Sequence, residues 1–139
     1  MGADIHTFVE QQQDNGTWQY VQWSSDEGHG PFDDRSYFRF GWLAGVRDHE
    51  VTPIAAPRGL PGDLSPTVRQ SWEAGDDDWH TPSWLAVAEL TAFDYDQDAG
   101  LGDGETYRDM LGPAFFDDLD ELINWDGEAP CRVVFWFDS

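Results

Sequence analysis

The sequence predicts an α+β fold, in which a small antiparallel sheet is covered by three or four short helices. Two observations lead to this fold class. The chain begins and ends with segments that alternate apolar and polar residues, at 4–11 and 131–138, as β-strands do. Between them lie short stretches with helical spacing or helix-capping signals, separated by loops rich in Gly and Pro. We expect the C-terminal strand to pair with an N-terminal hairpin in one sheet.

The N-terminal hairpin is predicted from a turn signal between two β-rich runs. Residues 4–11 form the first strand and residues 17–23 the second, with Asp14-Asn15-Gly16 as the turn between them. A helix is predicted over residues 36–46, which carry aromatic and aliphatic side chains at helical spacing. The pair Asp33-Asp34 precedes it as a candidate N-cap.

The rest of the chain contains three further helix signals. Ser65-Pro66 pairs a capping residue with a proline at the first helical position, and predicts a short helix through Trp72. Thr81-Pro82 gives the same signal before an apolar run that ends at Leu90. Residues 113–125 form an amphipathic helix. Its apolar stripe consists of Phe116, Leu119, Leu122 and Ile123.

The length of 139 residues predicts one domain, 1–139, that is large enough to bury a core. Cys131 is the sole cysteine, so no intramolecular disulfide forms, which fits a reducing compartment. The first residues show no basic and apolar leader, and we expect a cytoplasmic protein. No apolar run reaches the roughly 20 residues of a membrane span.

The charge balance is the most unusual property of the sequence. Twenty Asp and eight Glu stand against seven Arg and no Lys, for a net charge of −21. This excludes a general nucleic-acid binder and a protein of anionic membrane surfaces, since both need clustered cations. Eight tryptophans and an aromatic content of 15% argue against disorder. Three explanations stay open: adaptation to high salt, mimicry of DNA phosphates, and a surface that serves solubility.

One candidate site lies on the first strand. The period of two puts Asp4, His6 and Glu10 on the same face. Carboxylates beside an imidazole bind metals, orient ligands or act as acid and base. The alternative is a polar strand face that is simply turned to solvent.

A second candidate group combines a histidine segment with arginines. In residues 76–84, His80 stands among three aspartates, two hydroxyl residues and two tryptophans. Arg35, Arg47 and Arg58 fall at element ends or in loops, and Arg suits bidentate recognition of phosphate. The alternatives are a capped, solvated loop for the segment and salt bridges for the arginines.

The acidic loop at 94–105 resembles a calcium-binding loop. Carboxylates stand at its positions 1, 3, 5 and 12, which are Asp94, Asp96, Asp98 and Glu105. The departure is Ala99, where such loops place Gly. The sequence therefore suggests Ca²⁺ or another divalent metal here, with an ordinary solvated loop as the alternative. No Gly-rich phosphate loop, Cys/His zinc pattern or Gly-x-Ser-x-Gly motif is present.

Five segments together carry a family resemblance. They are Met-Gly-x-Asp-Ile-His at 1–6, Arg-x-Tyr-x-x-Phe at 35–40, Leu-Ala-x-Val-Arg at 43–47, Pro-Arg-Gly-Leu-Pro-x-Asp-x-Ser at 57–65 and Asp-x-His-Thr-x-Ser-Trp-Leu at 78–85. In this order they resemble a family of small uncharacterised proteins encoded by bacteriophages and prophages. The resemblance covers residues 1–90 and implies a viral or prophage origin.

The family pattern and the spacing argument select largely the same polar residues, and this suggests one shared site. Three functions remain open. The first is a module that binds a phosphate-bearing, nucleotide-like molecule and sequesters a host defence signal. The second is a metal-dependent hydrolase of such a ligand, acting through Asp4, His6, Asp78 and His80, and the third is an acidic decoy for a host DNA-binding protein. A homo-oligomer is compatible with all three. The candidate ligand-binding residues are Asp4, His6, Arg35, Tyr37, Arg47, Arg58, Asp78, His80, Ser83 and Trp84.

Overall fold

A four-stranded antiparallel sheet forms the centre of the computed structural model, which describes residues 2–23, 29–75 and 78–138. The strands are β1 (Asp4–Gln12), β2 (Trp18–Val21), β3 (His80–Ala86) and β4 (Cys131–Asp138). Their order in the sheet is β2-β1-β4-β3, so the C-terminal strand lies between the hairpin and β3. The α+β class and the pairing of the two chain ends are thereby confirmed.

Five helices are present in the described part of the chain. Serines cap the first two: Ser36 accepts a hydrogen bond from the backbone of α1, and Ser65 does so for α2. The predicted Asp33-Asp34 cap is therefore wrong, whereas the Ser65-Pro66 signal is confirmed. No helix in these ranges is long and apolar enough to cross a membrane. The helices are α1 (Tyr37–Ala44), α2 (Pro66–Glu73), α3 (Val87–Ala92), α4 (Tyr107–Leu111) and α5 (Pro113–Asp126).

The central strand β4 is buried on both faces, from Cys131 to Phe137. One face, here called the major face, bears Val133, Phe135 and Phe137 and packs into the main core with residues of α1, α3 and α5. The other, here called the α2 face, bears Val134 and Trp136 and packs against Val68 and Trp72 of α2. A sheet covered on both sides explains why β4 is almost continuously apolar.

The helix predicted to start at Thr81-Pro82 is wrong, because these residues lie inside β3. Strand β3 is at the edge of the sheet, where a proline costs no sheet hydrogen bond if its missing N–H would face outward. The carbonyl of Pro82 accepts a hydrogen bond from the backbone N–H of Gly59 in the proline-rich loop, at 2.9 Å. Farther along β3, Trp84 and Leu85 alternate between the two buried faces, as strand geometry requires.

A buried ion pair joins β1 to β4 on the α2 face. The guanidinium of Arg132 donates to Glu10 at 2.7 Å, and the backbone N–H of Ser65 donates to the other oxygen of Glu10 at 2.8 Å. The side chains are 0% exposed for Glu10 and 5% for Arg132. Arg132 also contacts Asp63 at 2.9 Å and stacks on Trp18 at 4.0 Å. Glu10 lies on the predicted face of β1, but its contacts are structural.

Candidate functional site

The other polar residues of β1 form two pairs at the end of the α2 face. His6 Nε2 lies 2.6 Å from Asp138 Oδ2, and the imidazole stacks on Trp79 with 5.1 Å between ring centres. Asp4 is bound by the guanidinium of Arg35 at 2.9–3.0 Å. This contact raises the pKa of the exposed Arg35 guanidinium. Asp138 was not predicted as a site residue, although its polar position in an apolar strand was a usable signal.

His80 points to the opposite side of the sheet from His6. Its ring stacks on Phe137 of the major face at 6.2 Å, whereas His6 stands in register with Trp136 of the α2 face. The preceding residue Trp79 packs on the α2 face, against Trp136 at 5.2 Å. The two histidine segments are therefore neighbours at one end of the sheet, but their imidazoles are not brought together.

Arg58, Ser83 and Trp84 form a separate group along β3. The Arg58 guanidinium donates to both carboxylate oxygens of Glu89 and lies 4.6 Å above the ring of Trp84. Its backbone N–H donates to the hydroxyl of Ser83 at 3.0 Å. The ion pair lowers the pKa of Glu89 and raises that of Arg58. This arginine anchors the proline-rich loop to β3 and α3.

The carboxylates of the acidic loop interact with backbone groups of the loop and with side chains of the adjacent helix α4. Asp94 and Asp98 accept hydrogen bonds from backbone N–H groups two residues ahead, and Asp96 pairs with Arg108 at 2.7 Å. Hydrogen bonding to Asp109 raises the pKa of Glu105. Across the described ranges no group of three or more His, Cys, Asp or Glu is arranged to hold a metal ion. Calcium binding here stays a prediction from the sequence.

Another part of the predicted residues surrounds a concave feature, which is lined by His80 and Arg47. A cavity of about 520 Å³ is lined by Gly45, Val46, Arg47, His49, His80 and Thr81. A second cavity of about 350 Å³ is lined by Tyr37, Arg47 and Asp48. Because both are lined by Arg47, we treat them as one feature, called the Arg47 groove.

A tight turn after α1 places Arg47 in the groove. Gly45 ends the helix in the left-handed conformation, at φ 72°, and its N–H donates to Gly41 at 2.8 Å. Two residues later Arg47 has φ 68°, and the N–H of Asp48 donates across it to Val46 at 2.8 Å. This hydrogen bond with a positive φ at the middle residue is the rare, strained form of the γ-turn. The backbone thus holds Arg47 in a conformation that non-glycine residues seldom adopt.

The segment of β3 that lines the groove is also strained. Thr81 has φ 53°, which is a marked outlier for a β-branched residue, and it lies where the pairing of β3 with β4 shifts register. Its hydroxyl is hydrogen-bonded to His80 Nδ1 at 2.9 Å. That contact fixes the orientation of the imidazole at the cavity wall. Strained residues concentrate at functional sites, and here two of them, from separate segments of the chain, line one cavity.

Tyr37 supplies the aromatic wall of the second cavity. It is 39% exposed, and the Arg47 guanidinium lies 5.6 Å from its ring centre. Its hydroxyl accepts a hydrogen bond from the backbone N–H of Ala3 at 3.4 Å, which ties the first turn of α1 to the start of β1. The groove therefore offers a cation, imidazoles, a hydroxyl and an aromatic ring.

The groove gathers three of the predicted residues, namely Tyr37, Arg47 and His80. His49 was missed, although its position two residues after Arg47 was a signal that could have found it. Asp78 is exposed just before β3, while Asp76 and Asp77 of the same predicted segment, like Met1, lie outside the described residues. No protein-family model, curated protein or solved structure matches this chain.

Proposed function

We propose that the protein binds a small phosphate-bearing, nucleotide-like molecule in the Arg47 groove. The observation that carries the proposal is the position of Arg47, held in a strained turn where the two cavities meet. One cavity is lined by Arg47 together with imidazole and hydroxyl side chains, which suit phosphate oxygens. In the other it stands beside Tyr37, a ring on which a planar base can stack.

Local charge supports an anionic ligand despite the acidic chain. Arg47, His49 and His80 line one cavity, and guanidinium and imidazole groups both donate hydrogen bonds to phosphate oxygens. In a protein of net charge −21, a wall that carries three basic side chains is a marked local departure. Asp48 borders the second cavity, on the side of the aromatic ring.

The dimensions also support a small molecule. Cavities of about 520 and 350 Å³ lie within the range of 300–1,000 Å³ that is usual for ligand pockets. An anionic part followed by an aromatic part is the layout of a nucleotide. The family resemblance implies a viral or prophage origin, and on that basis we propose that the ligand is a defence signal of the host cell, sequestered in its cytoplasm.

The hydrolase and decoy hypotheses have less support. A hydrolase that used His6 and His80 together would need both imidazoles at one substrate, but the two rings lie on opposite faces of the sheet. No feature of the structure favours a decoy over a binding module. We therefore do not propose either function.

Calorimetry with a nucleotide panel tests the proposal. The panel contains ADP-ribose, adenosine monophosphate, 3′,5′-cyclic AMP and 3′,3′-cyclic GMP–AMP, with inorganic phosphate as the minimal anion. We expect at least one nucleotide to bind. Arg47→Ala should weaken that binding about 10- to 100-fold, because it removes a charge-assisted contact.

A second arginine gives the matched control. Arg108 is also exposed, and it lies in α4 beside Asp96 of the acidic loop, outside the Arg47 groove. Arg108→Ala changes the net charge as Arg47→Ala does and should leave nucleotide affinity unchanged. If no nucleotide binds, or if both variants weaken binding equally, the proposed site is wrong.

A further inference from the structure

A second concave surface lies at the other edge of the sheet, where the N-terminal hairpin meets the end of α5, whereas the Arg47 groove lies at the edge formed by β3. A cavity of about 340 Å³ there is lined by Gln11, Gln13, Gln19, Gln22, Val21 and Trp125, among others. A smaller cavity of about 140 Å³ is lined by Trp125 as well, together with Asn124 and Glu128. Since the two share the tryptophan, we call them together the amide groove.

The hairpin and the helix jointly fix the amides of this groove. Gln11 and Gln19 are direct partners in the β1–β2 register, so their side chains leave the sheet on the same face. The side-chain amide nitrogen of Gln11 donates to the backbone carbonyl of Trp125 at 2.9 Å. The side-chain amide nitrogen of Gln13 donates to the backbone carbonyl of Gln11 at 3.1 Å. These bonds orient two amide planes and leave their side-chain carbonyl oxygens as acceptors.

Among the residues that the structure describes, the lining of the larger cavity contains no Asp, Glu, Arg or His. This is unusual, because 35 of the 139 residues are charged. Five of the seven glutamines in the chain fall between residues 11 and 22. The described lining of this larger cavity offers a phosphate no cation and a metal ion no carboxylate. The larger cavity of the amide groove is therefore suited to an uncharged ligand that is rich in hydrogen-bonding groups.

We propose that the amide groove binds an uncharged carbohydrate. Each sugar hydroxyl both donates and accepts hydrogen bonds, and a primary amide matches this with an NH₂ group and a carbonyl oxygen side by side. The indole of Trp125 is only partly buried, and it offers an apolar surface on which the C–H face of a sugar ring packs. The cavity volume of about 340 Å³ lies within the usual range for small-molecule sites. This proposal is independent of nucleotide binding at Arg47.

Titration with neutral oligosaccharides tests it. Cellohexaose, maltohexaose and chitohexaose are added separately to the ¹⁵N-labelled protein, and amide chemical shifts are followed up to 10 mM sugar. We expect at least one of them to bind, with shift changes concentrated at residues 11–22 and 124–128. Gln19→Ala should weaken that binding about fivefold, since a lost neutral hydrogen bond costs about 1 kcal/mol.

Gln19 and Gln70 provide a matched pair of variants. Both side chains are exposed, so neither truncation is expected to unfold the protein, and Gln70 lies on α2, away from the amide groove. Gln70→Ala should leave the affinity unchanged. Trp125→Phe, which keeps an aromatic ring against the core, should weaken binding by less than Trp125→Ala. No shift with any of the three sugars, or equal affinity in the Gln19→Ala and Gln70→Ala variants, would overturn the proposal.

Discussion

Replacing Arg47 by glycine and by alanine separates the strain in its backbone from the role of its side chain. Both variants remove the guanidinium and its contact with the Tyr37 ring, which is worth about 0.5–1 kcal/mol at an exposed position. Alanine keeps a Cβ at φ 68°, so the strain of about 1–3 kcal/mol remains. Glycine adopts this φ freely, but its more flexible unfolded chain offsets about 0.4–1 kcal/mol of the gain.

The net expectation is that the Arg47→Gly variant is more stable than the Arg47→Ala variant by about 1 kcal/mol. Urea unfolding followed by circular dichroism measures this difference as a shift in midpoint at unchanged slope. Arg69 in the exposed face of α2 provides the control, because glycine inside a helix is less stable than alanine by about 1 kcal/mol. The sign of the Gly–Ala difference should therefore reverse between the two positions.

The binding measurement on the same variants completes the test. Both Arg47 variants should lose nucleotide affinity to a similar extent, because both lack the guanidinium. If Arg47→Ala proves as stable as Arg47→Gly, the backbone at this residue is not strained. If the glycine variant retains full affinity, the arginine side chain does not contact the ligand.

Three further outcomes are expected from the rest of the fold. Arg132→Met leaves the carboxylate of Glu10 buried without its cation and should destabilise the protein by about 3–5 kcal/mol in urea, whereas adding Glu10→Leu should restore much of the loss. Burial raises the pKa of Cys131 to about 11, so only about a thousandth of the thiol is ionised at pH 8, and Ellman's reagent should react with it far more slowly in the folded than in the urea-unfolded protein. Burial also raises the pKa of Asp118, so its contribution to stability falls as the pH rises through the interval above the ordinary aspartate pKa. Asp118→Asn, which keeps an acceptor for the N–H of Phe32, should remove that part of the pH dependence of the unfolding free energy.

Local sequence signals predicted most elements of the fold, and they failed where the same short pattern occurs in two different structures. Ser65-Pro66 and Thr81-Pro82 look alike in sequence, yet the first caps α2 and the second lies in β3. The difference comes from β4, which offers backbone partners to Ser83 and Trp84. A pattern read within ten residues contains no information about a partner strand some fifty residues away.

The structure brings together only some of the predicted site residues, and the sequence could not show this for a similar reason. Alternation on β1 correctly put His6 and Asp4 on one face, but it could not show that the face of His80 is the opposite one. That depends on the register between β3 and β4. The Arg47 groove depends on a turn at positive φ, and the residues after Gly45 carry no glycine or asparagine that would have predicted it.

The middle position of β4 has a consequence for how the protein folds. The hairpin and β3 have no contact in the sheet except through this strand, and its pairs with β1 join residues as far apart as Asp4 and Asp138, which are 134 positions distant in sequence. A loop of that length must close before the hydrogen bonds between β1 and β4 can form. We therefore expect a high contact order and folding in milliseconds to seconds, during which the early hairpin exposes an unpaired edge to neighbouring chains.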